Sequence, residues 1–452
     1  MNDIQIKNTA YIKNLEFTEY LFFVLVVLFI FLISWLIQKR NIKSNPLYRF
    51  YTKAVMVKIF GAFAFCMVYI FYYHGGDTIS YFETSRALTN LMIQRPSDFF
   101  TVITHKASIA NYYLFDGVKT GFPWPYMYFD PKTFFVAKLL VPFMFVSFQS
   151  YLLTSVIFAW ISFVGIWKMF LMFGKLYKNI SFQLAIAILF IPSVIFWGSG
   201  ILKDTVTLSA SCWFIYALYN SLIIKKKPIK HFIILFISGY IIYSIKPYIL
   251  FALLPGAFIL VIYDRISRIK SKLFRYAVIP LIYIASFGGG YGILTFLSGS
   301  FNVSKLLSEA SVKQNDLQNA DYDGHSFNIG SYNPTISGTL KAAPAALIAG
   351  LYRPFIWESK TVMMLLSGIE NLIYLSLTIW ILLKVNFIRL MRIIFENPLV
   401  LFCLSYSFFF AMIVGLSTSN FGALVRFKIA YAPEFLCALV ILNYYRKIPR
   451  KR

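Results

Sequence analysis

The chain has 452 residues, of which 59% are hydrophobic and 13% charged, with a formal net charge of +25 and a mean hydropathy of +0.68. That balance lies well outside soluble composition, and apolar stretches that fit a hydrocarbon core at about 1.5 Å rise per residue recur along the chain. The Lys and Arg residues sit in short clusters between apolar runs and not along one basic face, which excludes nucleic acid as the partner. Cys66, Cys212, Cys403 and Cys437 all fall inside apolar runs with no metal-ligand spacing, which excludes a disulfide framework or a zinc site.

In chain order, the apolar stretches predict about eleven transmembrane helices, at 20–38, 54–73, 151–173, 183–198, 205–224, 231–245, 248–263, 276–297, 361–383, 398–416 and 424–445. Helices and not a barrel follow from their length, so the expected fold is an all-α polytopic bundle forming one membrane domain over 1–452. The first stretch lacks a small-residue cleavage site and reads as a retained helix. The run at 134–148 carries Lys138 and Pro142 and is expected to lie in the interface. The short pair around Lys246 and Pro247 also fits a re-entrant hairpin.

The basic clusters set the orientation. They are Lys39 to Lys58, Lys175 with Lys178, Lys225 to Lys230, Arg265 to Arg275, Lys384 to Arg392, and Arg446 to Arg452. All fall on one side of this arrangement, which places the N-terminus outside and the C-terminus inside. Two long outer segments result, 74–149 with interfacial helices and 298–360, and long ordered loops are more often functional than connecting.

The first outer segment opens with His74-Gly75-Gly76-Asp77-Thr78, followed by Tyr81 and Glu83. Two glycines permit a tight turn that holds Asp77 at the membrane surface; the competing reading makes Asp77 a helix cap. Between the fourth and fifth helices stand Trp197-Gly198-Ser199-Gly200 and Lys203-Asp204. Here Lys203 either meets a phosphate that Asp204 helps orient, or the two residues form an interfacial ion pair. Further outer cations are Lys246, Arg353 in Arg353-Pro354-Phe355-Ile356-Trp357-Glu358, Arg426 and Lys428. Several cations converging from separate helix ends suit a phosphate-bearing lipid.

Glu370 and Glu434 fall within apolar helices, where an acid is costly and is a functional candidate or the partner of Arg353 or Arg426. Asp321 and Asp323, in Asp321-Tyr322-Asp323-Gly324-His325, form the one pattern suited to a divalent ion, although their polar surroundings equally describe a solvated loop. Nothing in the sequence requires a cofactor.

These residues together resemble the GT-C superfamily of membrane glycosyltransferases. The likeness lies in many spans, a large first outer loop and a carboxylate, Asp77, soon after a span. Bacterial surface-polysaccharide proteins are similar in Pro192-Ser193 with Phe196-Trp197, in Gly200-Ile201-Leu202-Lys203-Asp204, in Arg353-Pro354-Phe355 with Trp357-Glu358, and in Asn420, Gly422 and Arg426. Two departures are an extra span before the Asp77 loop and the lack of a paired acidic motif within it.

The resemblance implies transfer of a sugar from a polyprenyl-phosphate donor to a glycan or lipid-glycan acceptor, at the outer face of a bacterial cytoplasmic membrane. Asp77 would be the catalytic base. Lys203, Asp204, Lys246, Arg353, Glu358 and Arg426 would bind the substrate, and membrane lipids are the other partners. The same loops also resemble polysaccharide polymerases and ligases. A flippase is the non-enzymatic alternative, but it would spread polar groups through the bilayer, whereas these gather at one face.

Overall fold

A computed structural model describes residues 17–269 and 335–448, with scattered positions between 271 and 333. Every regular element among the described residues is helical. The first helices are α1 (Phe17–Asn41), α2 (Tyr51–Phe71), α3 (Asp77–Gln94), α4 (Pro96–Thr104), α5 (Ile109–Tyr112), α6 (Pro125–Tyr128), α7 (Pro131–Val146) and α8 (Tyr151–Leu176). They continue as α9 (Ser181–Leu189), α10 (Pro192–Trp197), α11 (Lys203–Leu218), α12 (Pro228–Ile245) and α13 (Pro247–Ser267). The last are α14 (Ile336–Tyr352), α15 (Val362–Lys384), α16 (Phe387–Glu396), α17 (Pro398–Ser417), α18 (Phe421–Lys428) and α19 (Ala432–Lys447).

Among the described residues, 7 helices are long and apolar enough to cross a membrane, which makes this a multi-helix membrane protein. The stretch expected as one span at 183–198 is two helices, because Pro192 lacks the N–H that would continue α9 and instead opens α10. The stretch at 424–445 is likewise split into α18 and α19, with Pro433 in the first turn of the second. Most of the stretch at 276–297 lies outside the described residues.

The chain forms two compact units. The first comprises Met1–Met172, Val194–Tyr216 and Ile234–Lys246. In it α1 meets α2 through stacked Phe23 and Phe63, 5.1 Å apart, while most of its apolar side chains remain exposed, as suits a helix in lipid. Helices α3 to α7 build an ordered layer around their own core of Leu88, Leu91, Phe99, Tyr128 and Phe134. Ser85 of α3 is buried there with its hydrogen bond made: its Oγ donates to the Ala137 carbonyl at 3.0 Å, tying α3 to α7.

The second unit comprises Phe173–Ser193, Ala217–Ile233 and Pro247–Arg452. Its centre is α17, with α13, α14 and α19 against it. A Cβ at Gly350 would strike the Ala411 carbonyl, and one at Gly415 the Ala346 carbonyl. The small residues let α14 and α17 approach backbone to backbone, the packing mode that membrane helices use in place of a hydrophobic driving force.

Candidate functional site

In the first unit, the chain leaves α2 through a turn that only glycine adopts readily: Gly76 has φ +107°. Gly76 is then the N-cap of α3, and Asp77 occupies the first helical position, half-buried. Capping is therefore done by the backbone of Gly76, and the Asp77 side chain lies within electrostatic reach of Lys203 and of Tyr126.

Lys203 and Asp204 do not pair with each other. Successive residues on a helix point about 100° apart, and side chains one position apart do not face each other. Lys203 Nζ stands 3.0 Å from Asp130 Oδ2, while Asp204 forms a buried ion pair with Lys246. Of the two readings of the sequence, the adjacent ion pair is thus replaced by two pairs between residues distant in sequence. Asp130 is the N-cap of α7 and accepts from the Lys132 and Thr133 backbone N–H groups at 3.2 Å. Burial pushes its carboxyl up, but the Thr133 hydroxyl and the Lys203 ammonium outweigh this and hold it below its ordinary value.

Glu83 lies two turns along α3 and is 5% exposed. Its Oε2 accepts from Trp124 Nε1 at 2.5 Å, and its Oε1 is sealed with no hydrogen-bond partner. Burial pushes the carboxyl up to about 6, against the pull of Trp124 and Arg86. Pro123 and Pro125 fix the backbone on either side of Trp124, and Tyr126 extends the same wall to Ser80 on α3.

An apolar groove of about 410 Å³ lies along α11. Val206, Ala210 and Trp213 form its α11 wall, facing Phe143 of α7, Phe158 of α8 and Ile237 of α12. Lys203 precedes Val206 by three positions and Ala210 by seven, so it lies on the same face of α11 as that wall.

Lys58, expected with the basic loop residues, is instead buried inside α2, its ammonium donating to the carbonyl of Gly198. It caps the end of α10 and contributes nothing to the charge of a loop.

The other expected cations belong to the second unit. The Arg353 guanidinium donates to both carboxylate oxygens of Glu358, from Nε at 2.9 and 3.2 Å. It also lies over the Phe327 ring, 4.7 Å from its centroid. Lys428 is buried and donates to the carbonyls of Leu351, at 3.1 Å, and Arg353, and to Asn371 Oδ1 at 3.0 Å. Those bonds pin the turn that carries Arg353. Arg426 is half-buried on α18.

Glu370 accepts from the Ser193 N–H at 2.9 Å, the Ser193 hydroxyl at 2.7 Å and the Tyr374 hydroxyl at 2.7 Å. Its partners are thus hydroxyls and a backbone amide, and of the two alternatives the pairing with Arg353 or Arg426 is not the one seen. Glu434 is fully buried, and neither of its carboxylate oxygens has a hydrogen-bond partner. Asp321 and Asp323 lie outside the described residues. Among the described residues, no three His, Cys, Asp or Glu side chains come together as a metal site.

The first unit therefore gathers Asp77, Glu83, Asp130, Lys203, Asp204 and Lys246. The arrangement sets a partly exposed ammonium, Lys203, within electrostatic reach of the Asp77 carboxylate, on the face of α11 that lines an apolar groove. Asp130 went unread in the sequence. Its Asp-Pro-Lys-Thr context marks an N-cap, but nothing local announces a lysine 73 positions away. Comparison of the chain with models of known families, with known proteins and with solved structures finds no match.

Proposed function

We propose that this protein is a glycosyltransferase that moves a sugar from a polyprenyl-phosphate donor to a surface-glycan acceptor, in a GT-C-like bundle of about eleven spans. Its site faces the outside of the bacterial cytoplasmic membrane, with the N-terminus out and the C-terminus in. The observation that supports this reading is that Asp77 lies within electrostatic reach of Lys203, which stands three residues before the first groove-lining residue of α11, Val206. A lipid-linked sugar phosphate has the same order of parts: a polar reacting end, an anion and a long apolar chain.

In this mechanism Asp77 accepts the proton of an acceptor hydroxyl as the hydroxyl oxygen bonds to the anomeric carbon, and the bond from that carbon to the phosphate oxygen breaks. The polyprenyl phosphate departs already anionic and needs no proton. Lys203 stabilises the charge that develops on it by turning from Asp130 toward the phosphate. Lys246 is held in its buried pair with Asp204 and supports the position of Lys203. Arg353, with Glu358, and Arg426 belong to the second unit and carry no step of this mechanism.

The test is the purified protein in lipid nanodiscs with a panel of polyprenyl-phosphate monosaccharides and extracted surface glycan. The expected result is sugar transfer by the wild type and its loss in Asp77→Asn, with Lys203→Ala slower by on the order of a hundredfold. Transfer by Asp77→Asn at the wild-type rate overturns the assignment of the base.

A further inference from the structure

A polar concavity lies in the second unit. The last turn of α8 and the 3₁₀ turn Lys178–Ile180 face the end of α19 across a cavity of about 390 Å³. Lys175, Tyr177, Lys178, Asn179, Tyr444 and Tyr445 line it, and no carboxylate does. Neither lysine forms an ion pair among the described residues.

The walls are held from outside. Tyr177 donates to Asn397 Oδ1 at 3.1 Å and meets Tyr445 edge-on at 6.4 Å. The end of α19 is fixed by Arg389, which donates to the carbonyls of Arg446 at 3.0 Å and Ile448 at 2.9 Å. Asn179 donates to the Tyr444 hydroxyl at 3.2 Å. The Tyr444 oxygen is thereby used as an acceptor, which leaves its proton to donate.

Two ammonium groups and a phenolic donor around one concavity, with no acid to balance them, repel one another until an anion enters. Tetrahedral phosphate oxygens match several donors converging from different directions. The level of the cavity decides the source: Lys175 stands at the end of a helix apolar enough to span the membrane, and tyrosines and lysines at that boundary meet lipid head groups.

We propose that this cavity binds the phosphate of an anionic lipid head group, through Lys175, Lys178 and Tyr444. The site is independent of the sugar-transfer reading. By the charge distribution along the chain it faces the cytoplasmic leaflet.

The test is thermal unfolding of the full chain in nanodiscs of neutral phosphatidylcholine, with and without added phosphatidylglycerol or cardiolipin, alongside native mass spectrometry of the lipids retained. Wild type is expected to gain several degrees from the anionic lipids and to retain them. Lys175→Gln with Lys178→Gln should lose both effects, and Tyr444→Phe should weaken them. Lys225→Gln with Lys226→Gln and Lys227→Gln, a basic loop without the cavity, should keep them.

If the double variant does not fold, Tyr444→Phe carries the test, since it removes one hydroxyl and leaves the ring. An unchanged gain in the cavity variants, or an equal loss in the loop variant, overturns the proposal. So does stabilisation by millimolar inorganic phosphate that matches the effect of lipid, because the occupant is then a soluble anion.

Discussion

Lys203 is bound to Asp130, 73 residues away, and not to its chain neighbour Asp204. The pairs Lys203 with Asp130 and Lys246 with Asp204 differ in depth. Lys203 and Asp130 keep side-chain exposures of 20% and 40%, whereas Lys246 and Asp204 keep 8% and 2%. An exposed pair gains little because water screens it, while breaking a buried pair leaves an uncompensated charge inside the protein.

Unfolding of the purified protein in detergent should separate the two. Lys246→Ala is expected to destabilise by about 3–5 kcal/mol, and adding Asp204→Ala should recover part of that loss. Lys203→Ala should cost no more than about 1 kcal/mol. In double-mutant cycles Lys203 should couple to Asp130 and be additive with Asp204. Coupling of Lys203 to Asp204 alone would contradict the observed pairing.

Glu83 gives the first unit a dependence on pH. Burial raises its carboxyl from an ordinary 4.5 to about 6, so the folded state holds the proton more tightly than the unfolded state does. The resulting stability is fully present below pH 4.5 and is lost as pH rises through about 6, amounting to roughly 2 kcal/mol. Asp130 works in the opposite sense, its lowered value adding stability above its ordinary value of 3.8 that is lost on further acidification. The two windows do not coincide. The melting temperature of the wild type, measured from pH 4.5 to 7, should fall relative to that of Glu83→Gln, and parallel curves would exclude Glu83 as the source.

The helical membrane fold was legible from runs of apolar residues, because hydrocarbon demands continuous apolar surface and internally bonded backbone. The breaks were less so. Pro192 splits one expected span in two, although its position in an apolar run looked ordinary. Asp77 was legible because glycines and a carboxylate just past a span form a local pattern. Its neighbours were not: Asp130 and Trp124 reach the cluster through the packing of α7 and α6 on α3, and partners set by tertiary packing leave no spacing to read. Lys58 misled for a related reason, since a lysine near the edge of an apolar run is counted as a loop charge until the carbonyl of Gly198 is seen beside it.

Orientation is tested by single cysteines in an otherwise cysteine-free chain. One at Asn111, in the layer of α3 to α7, is expected to react with an impermeant thiol reagent in intact cells. One at Ser44, between α1 and α2, should react only after permeabilisation. Both positions lie outside the spanning helices, so a difference reports sidedness. Labelling of Ser44 in intact cells would move the Asp77 cluster to the cytoplasmic side and remove the outer-face donor from the proposal.

The last prediction separates a transferase of single sugars from a polymerase that joins completed units, and the pairing of Lys203 dictates its controls. If Lys203 receives the leaving phosphate of a monosaccharide donor, Lys203→Ala should leave glycan lacking one sugar, visible as a fixed mass deficit. In a polymerase the same change would spare the repeat unit and deplete only long chains. Loss of activity could also arise because Asp130 is left unneutralised beside Asp77, so Lys203→Ala must be combined with Asp130→Ala and not with Asp204→Ala. Recovery in that combination would mean that Lys203 only balances its neighbour. The parallel control in the second unit joins Arg353→Ala to Glu358→Ala, since those side chains bind each other directly. Complete repeat units with a collapsed ladder of chain lengths would sink the single-sugar mechanism while leaving Asp77 as the base. A uniform mass deficit that persists in the Lys203 and Asp130 double variant would identify Lys203 as the group that meets the phosphate.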